Sequence, residues 1–562
     1  MHLTFLGATR TVTGSSYLLT VGNRRVMVDC GLYQGLPELQ ERNYTHPAVK
    51  WPEIDAILLT HAHIDHCGLI PRAVRLGYKG PIYSHQATID LAEIMLFDSA
   101  EIHEQDAEWL SRKRMRAGKT PIEPLYTRKD VALATGLFKP VKYNAPFEIF
   151  PGIKAEYHDA GHILGAASIA VDAIENGLKR RIVFSGDVGN HQVAILREPD
   201  GFEMADAVLI ETTYGNRLHE SPNDRFIKLG NVIREAHRNS AKVLIPAFTV
   251  GRTQELLYII GEMMEKGEIP PIKVFLDSPM AIAATDVHSR HPECFDTATL
   301  ARIKSGEDPF SFPSLKMSRT ISDSRKINTH KGSAVIIAGG GMCEGGRIVH
   351  HLKHNLYHPE NHVVFVGYQA EGTLGRVILN GQKRLKLFGE EVAVKAKITA
   401  IGAFSAHADK KGLLDWLGGY KQAPEMVFTV HGEEKVSEEF GNTIREEFGY
   451  QTYLPKLNQD IDLADFGQAV LGHRQFIQRT APDPSDIHDL VARVGTLGEE
   501  FKSQVGNYIT DLEKRVKIYG EDKNLPNWQE NEVRDVLRHM CDAVEHDIDC
   551  LKNIAERPQS GD

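Results

Sequence analysis

Short β-branched runs recur along the first 455 residues, and most end abruptly in a polar or glycine-rich turn. RRVMVDCG (24–31), DAILLTHAH (55–63), RIVFSGD (181–187), AVLIETTYG (207–215), KVLIPAFTVG (242–251), IKVFLD (272–277), AVIIAGGG (334–341), HVVFVG (362–367) and MVFTVHG (426–432) share this form. Several lead into amphipathic stretches, such as GRTQELLYIIGEMMEKG (251–267) and GGRIVHHLKHN (345–355). Buried strands alternating with helices predict an α/β fold. The N-terminal runs HLTFLG, SSYLLTVG and RRVMVDCG have no helix between them, so an antiparallel meander is expected there and the fold is mixed, α/β with α+β character. From Pro484 the strand pattern stops, and apolar residues take near-heptad spacing over 487–519 and again over 533–551, on either side of GEDKNLP. That spacing predicts a C-terminal helical hairpin whose apolar stripe packs on its own core, on a second copy of the chain or on a partner protein.

Composition narrows the function. Across 562 residues, 65 Lys+Arg against 75 Asp+Glu give a formal charge of −10, which excludes a globally basic nucleic-acid binder. A polyanion must then be held by a local patch or by bound metal. The six cysteines form no CxxC pair, which argues against a disulfide framework or a cysteine-rich zinc module and suits a reducing cytosol. No apolar run is long enough for a membrane span, and MHLTFLGATR lacks the layout of a signal peptide, so a cytoplasmic protein is expected. The 26 histidines are the unusual count.

They concentrate chemistry at HAHIDH, where His61, His63, Asp65 and His66 fall directly after the strand AILLT. Alternation sends His61, His63 and Asp65 to one side, and a turn brings His66 round. Imidazole and carboxylate are the donors of catalytic zinc sites. Further candidates stand at later strand ends: His162 in DAGHILGAAS, Asp187 in FSGD and His431 in FTVHGE. Strand ends are where loops gather on one edge of an α/β sheet.

The series Asp29, HAHIDH, His162 and Asp187 resembles the metallo-β-lactamase fold, a four-layer αββα sandwich. Glu211 (IETTYG), His407 (FSAHAD) and His431 (TVHGE) resemble the three extra motifs of the β-CASP nucleases. That branch contains the pre-mRNA 3′-end cleavage endonuclease and its prokaryotic relatives. The resemblance implies one zinc on His61, His63 and His162 and a second on Asp65, His66 and His431, with Asp187 bridging. It implies that Asp29 orients the HAHIDH loop, that Asp65 is catalytic as well as a ligand, and that Glu211 and His407 form a hydrogen-bonded pair. The corresponding domains are 1–208 (first part of the sandwich), 209–390 (inserted α/β β-CASP domain), 391–455 (return segment) and 456–562 (linker and helical extension).

Elementary chemistry supports these roles. Two zinc ions ~3.5–4 Å apart clamp the attacking and leaving oxygens of an in-line displacement. The departing oxygen needs a proton that neither metal supplies, and a histidine held by a carboxylate supplies it. His407 with Glu211 is therefore the expected general acid pair. The glycine-rich stretch AGGGMCEGGR (338–347) permits close backbone approach to phosphate. Gly345 within it, Arg252, Ser278, Arg347 and Arg376 beside similar turns, and Ser405 in FSAHAD are the candidate substrate contacts.

The function expected from the resemblance is a zinc-dependent ribonuclease. His431 favours RNA over DNA, because DNA-repair relatives usually carry valine there. FSAHAD favours endonucleolytic cutting, with added exonuclease activity open, and the ligand set favours zinc over manganese. The rival readings are a thioesterase of the glyoxalase II type, which shares HAHIDH, His162 and Asp187, and a non-catalytic scaffold, which would have lost metal ligands. Archaeal members carry N-terminal KH domains. This chain begins at the first lactamase-like strand, so RNA is expected to be gripped by the core cleft, the tail or a partner.

Overall fold

The three N-terminal runs pair as the expected meander, with strands His2–Phe5, Tyr17–Val21 and Arg24–Val28 consecutive and antiparallel. The computed structural model describes residues 1–466 except 46–48, 192, 368 and 371. The helical hairpin expected from residue 484 lies outside the described residues.

From Arg24–Val28 the sheet grows by parallel addition of Ala56–Leu58, Ile82–His85 and Phe138–Val141. Parallel neighbours need crossovers, which the helices Ile70–Arg75, Gln86–Arg116 and Arg128–Thr135 help to supply. Its other edge is the strand Gln459–Asp462, antiparallel to His2–Phe5.

A second seven-stranded sheet runs Thr452–Tyr453, Met426–Val430, Ala207–Glu211, Leu178–Phe184, Ala167–Glu175, Ile153–Asp159, Phe147–Phe150. The two sheets meet through aromatic contacts: Phe5 lies 5.1 Å from Phe428, and Tyr17 lies 6.1 Å from Phe184, between ring centroids. The helices Lys410–Leu417 and Glu434–Phe448 bury Leu413, Trp416, Phe440 and Ile444 against the outer face of the second sheet. Helices thus cover a pair of facing sheets, the αββα arrangement.

The inserted domain is a six-stranded, wholly parallel sheet in the order Leu315–Met317, Lys273–Asp277, Ala334–Gly339, Lys242–Ala247, His362–Phe365, Lys397–Ala400. Its central runs are buried along almost their whole length, as a parallel sheet covered on both faces requires.

Sheet pairing assigns the strands near the ends of the insertion. Ala207–Glu211 pairs with Leu178–Phe184 and Met426–Val430, so this strand belongs to the second sheet of the sandwich. Lys397–Ala400 pairs with His362–Phe365, so this strand adds to the edge of the six-stranded sheet. This short run is only part-buried and carries no apolar signal that would assign it to either sheet. Beyond the return segment, Gln459–Asp462 closes the first sheet. No helix among the described residues is long and apolar enough to cross a membrane.

Candidate metal centre

The chain delivers HAHIDH from the strand Ala56–Leu58 into the short helix Ile64–Cys67, whose turn brings His66 back beside His61. The VDCG turn clamps this helix. Cys30 N–H donates to His66 O at 2.8 Å and Leu32 N–H to Ile64 O at 2.9 Å. A Cβ on Gly31 would stand 1.7 Å from Asp65 O, so only glycine permits the approach. Asp29 ends its strand in the left-handed region, φ 60°. Its Oδ1 accepts from Thr60 N–H at 2.8 Å, and its Oδ2 lies 2.7 Å from His66 Nδ1. A carboxylate at Nδ1 places that proton and leaves Nε2 free as a ligand atom.

Two groups of donors result, and Asp187 serves both. In the first, His63 Nδ1 lies 3.1 Å from His61 Nε2 and 3.2 Å from His162 Nε2. Asp187 Oδ2 lies 3.3 Å from His61 Nε2 and 3.5 Å from His162 Nε2. In the second, His66 Nε2 lies 3.2 Å from His431 Nε2 and 3.2 Å from Asp187 Oδ1, and His431 Nε2 lies 3.4 Å from Asp65 Oδ2. Zinc–nitrogen bonds of about 2.0–2.1 Å at tetrahedral angles put neighbouring donors roughly 3.3 Å apart, which these spacings match.

Hydrogen bonding does not explain the arrangement. One proton on His63 Nδ1 cannot serve two facing nitrogens, and Asp187 Oδ1 is buried without a hydrogen-bond partner among the described residues. Burial, reinforced by neighbouring imidazoles, holds His61 and His162 low and His63 down to about 3. The rings are therefore neutral, the form that donates to a metal. Burial opposes ionisation of Asp187, but the imidazoles of His431 and His66 outweigh it and hold the carboxyl well below its usual range. These residues fit a metal centre.

Beside it, His407 Nδ1 lies 3.0 Å from Glu211 Oε1 and 3.9 Å from Asp187 Oδ2. Glu211 is fully buried and also accepts from Val188 N–H and Thr213 N–H, at 2.9 and 3.2 Å. Burial alone would lower the His407 imidazole, yet Glu211 and Asp187 carry it up to about 9. An antiparallel bridge between Gly189 and His407 fixes the segment.

The substrate-contact candidates divide. Ser405 stays near His407, its Oγ donating to His407 O at 3.4 Å. Arg252 is buried and ion-paired with Glu255. Arg347 donates to Asp277 Oδ1 at 2.6 Å and to Ser318 O at 2.9 Å. Ser278 caps the helix Pro279–Arg290. Phosphate would have to compete with these internal partners at all three. Gly345 is exposed with open space around it, and Arg376 has no ion-pair partner among the described residues. Among the described residues, none of these five hydrogen-bonds or ion-pairs with the metal-ligand candidates.

Two threonines were missed by sequence reasoning. Thr60 Oγ1 lies 3.0 Å from His61 Nδ1, and Thr213 Oγ1 lies 3.3 Å from His431 Nδ1. The position of Thr60 immediately before His61 was the available signal.

Residues 9–190 match the family model described as the metallo-beta-lactamase superfamily, 253–378 the Beta-Casp domain, and 391–455 the Zn-dependent metallo-hydrolase RNA specificity domain. The chain is 36% identical over 470 residues to Ribonuclease TTHA0252 of Thermus thermophilus, covering 84% of this chain and 100% of that protein. It is 33% identical over 465 residues to Transcription termination factor FttA of Methanocaldococcus jannaschii, covering 81% and 70%. The corresponding factor of Methanosarcina mazei is 32% identical over 463 residues, covering 80% and 70%. This chain belongs to the β-CASP metallo-hydrolases of the metallo-β-lactamase superfamily.

Proposed function

We propose that this chain is a two-zinc ribonuclease that cuts RNA phosphodiester bonds within the strand. The observation that carries the reading is Asp187, which offers one carboxylate oxygen to each of two ligand sets and stands 3.9 Å from His407. His61, His63 and His162 would hold one zinc, and Asp65, His66 and His431 the other. When bound, such ions neutralise phosphate and lower the pKa of water towards ~7. Asp65 would complete the second ligand set, its Oδ2 lying 3.4 Å from His431 Nε2, and would orient the attacking water. Glu211 occupies His407 Nδ1, which leaves Nε2 to protonate the departing oxygen. Asp29 keeps His66 in the donating tautomer.

RNA as substrate is supported by the RNA specificity domain match, whose span 391–455 includes His407 and His431. The name of the Thermus relative, a ribonuclease, points the same way. The thioesterase reading has no use for the inserted sheet or for the Glu211–His407 pair. The test presents zinc-reloaded full-length protein with end-labelled linear RNA, circular RNA, matched DNA and a thioester. Chelator-sensitive cleavage of both RNAs, with metal analysis returning at least two zinc ions per chain, two of them lost when the ligand sets around Asp187 are mutated, is the expected result. Thioester hydrolysis without RNA cleavage, or RNA cleavage undiminished by His407→Ala, overturns the reading. Cleavage of linear but not circular RNA would make it an exonuclease.

A further inference from the structure

Another group of metal-capable side chains lies at the seam between the sandwich and the inserted domain, and it shares no residue with the two ligand sets. His85 ends the strand Ile82–His85 and caps the helix Gln86–Arg116. Cys294 stands 209 residues further along the chain, with Glu293 beside it in the helical turn Pro292–Cys294. Backbone contacts dock this turn on the sandwich: Leu196 and Phe295 form an antiparallel bridge, and Asp296 N–H donates to Ile195 O at 2.8 Å.

The ligand atoms of His85, Glu293 and Cys294 all lie within 4.8 Å of one another, with Cys294 Sγ 4.0 Å from His85 Nδ1. His85 is 6% and Cys294 2% exposed, whereas the Glu293 side chain is 50% exposed. The group therefore opens to water through the carboxylate. Its members are held in place from outside. The His85 ring stacks on Tyr143 at 4.2 Å and 9°. His291 Nδ1 lies 2.7 Å from Glu293 Oε1, and His291 Nε2 lies 3.0 Å from Asp90 Oδ2. Hydrogen-bonded partners of this kind orient metal ligands. The contact His85 Nδ1 already makes, to Ala87 N–H, is long at 3.3 Å, so little is lost when a cation replaces it.

We propose that His85, Glu293 and Cys294 bind a further divalent cation of the zinc class, clipping the inserted domain to the sandwich. Thiolate, imidazole and carboxylate together suit zinc, and three protein donors leave a fourth position to water. Because the clip closes a long loop, its binding energy adds to the stability of the folded chain.

Cobalt(II) separates this site from the nuclease centre, since neither ligand set around Asp187 contains sulfur. Full-length protein loaded with cobalt is expected to show a thiolate-to-cobalt charge-transfer band in the near ultraviolet. Cys294→Ser should remove the band and lower the metal content by one ion per chain, while His63→Ala should keep the band. Glu293→Gln, at a half-exposed position, should weaken cobalt retention about tenfold or more. No band in the loaded wild type, or a band that Cys294→Ser leaves intact, overturns the proposal. Should Cys294→Ser not fold, undiminished cobalt retention in Glu293→Gln overturns it equally. A chain that cuts RNA without showing the band keeps its ribonuclease reading and loses the clip.

Discussion

Asp29 shows how a residue without a ligand role governs a metal centre. Its carboxylate spans Thr60 and His66, and Asn at this position would present an amide N–H to one of two donors. Asp29→Asn is expected to weaken zinc affinity about 10–100-fold, measured by competition with a chromophoric chelator. His407 predicts the opposite pattern. His407→Ala should lower RNA cleavage about 10²–10⁴-fold with zinc content unchanged, because the ring stands outside both ligand sets. An activated phosphodiester, whose leaving group departs without a proton, should lose far less. The candidate metal ligands were legible because their spacing sits in one hexapeptide and at three strand ends. The arginines were not, since sequence cannot show that Glu255 and Asp277 already hold Arg252 and Arg347.

Elements place these residues, and two of them offer tests. Gly31→Ala drives a methyl group into Asp65 O, at 1.7 Å in the native backbone. Displacement of the Ile64–Cys67 helix should cost metal binding at both sets, with soluble but zinc-poor protein as the result. In the helix Pro279–Arg290, His288 is buried, and desolvation holds its imidazole down to about 4 from an ordinary 6.5. The unfolded chain thus binds a proton that the folded chain refuses between those values. Stability should fall as pH drops through this window, by up to about 3 kcal/mol from this group. Melting temperatures of wild type and His288→Gln between pH 7 and about 4 check it, the variant showing the shallower decline. The helix Gln86–Arg116 escaped the sequence reading for a physical reason. Its buried face is mostly small residues, Ala87, Ala92, Ala100, Ala107 and Ser111 among them, so no strong apolar stripe announces it.

At the scale of the molecule, a chain of charge −10 that binds RNA must concentrate positive charge locally. Chelation should therefore abolish RNA affinity as well as cleavage, read by fluorescence anisotropy. The heptad spacing after residue 484 predicts an apolar stripe that packs on its own core, on a second copy or on a partner. Sedimentation of the full chain against one ending near residue 480 separates these, a halved assembly marking self-association and an unchanged oligomeric state removing it. Sequence periodicity announced an α/β chain, and the order of its motifs carried the resemblance that implied the αββα sandwich, the inserted α/β domain and the candidate metal ligands. Both signals are local, and the backbone converts them directly into strand ends. Only the tertiary structure decided that Lys397–Ala400 belongs to the inserted sheet, and it set the distances at which Asp187, a bridge by the family resemblance, faces both ligand sets. It alone brought His85 to Cys294 across 209 residues. Such juxtapositions depend on packing between distant segments, and no spacing along the chain encodes them.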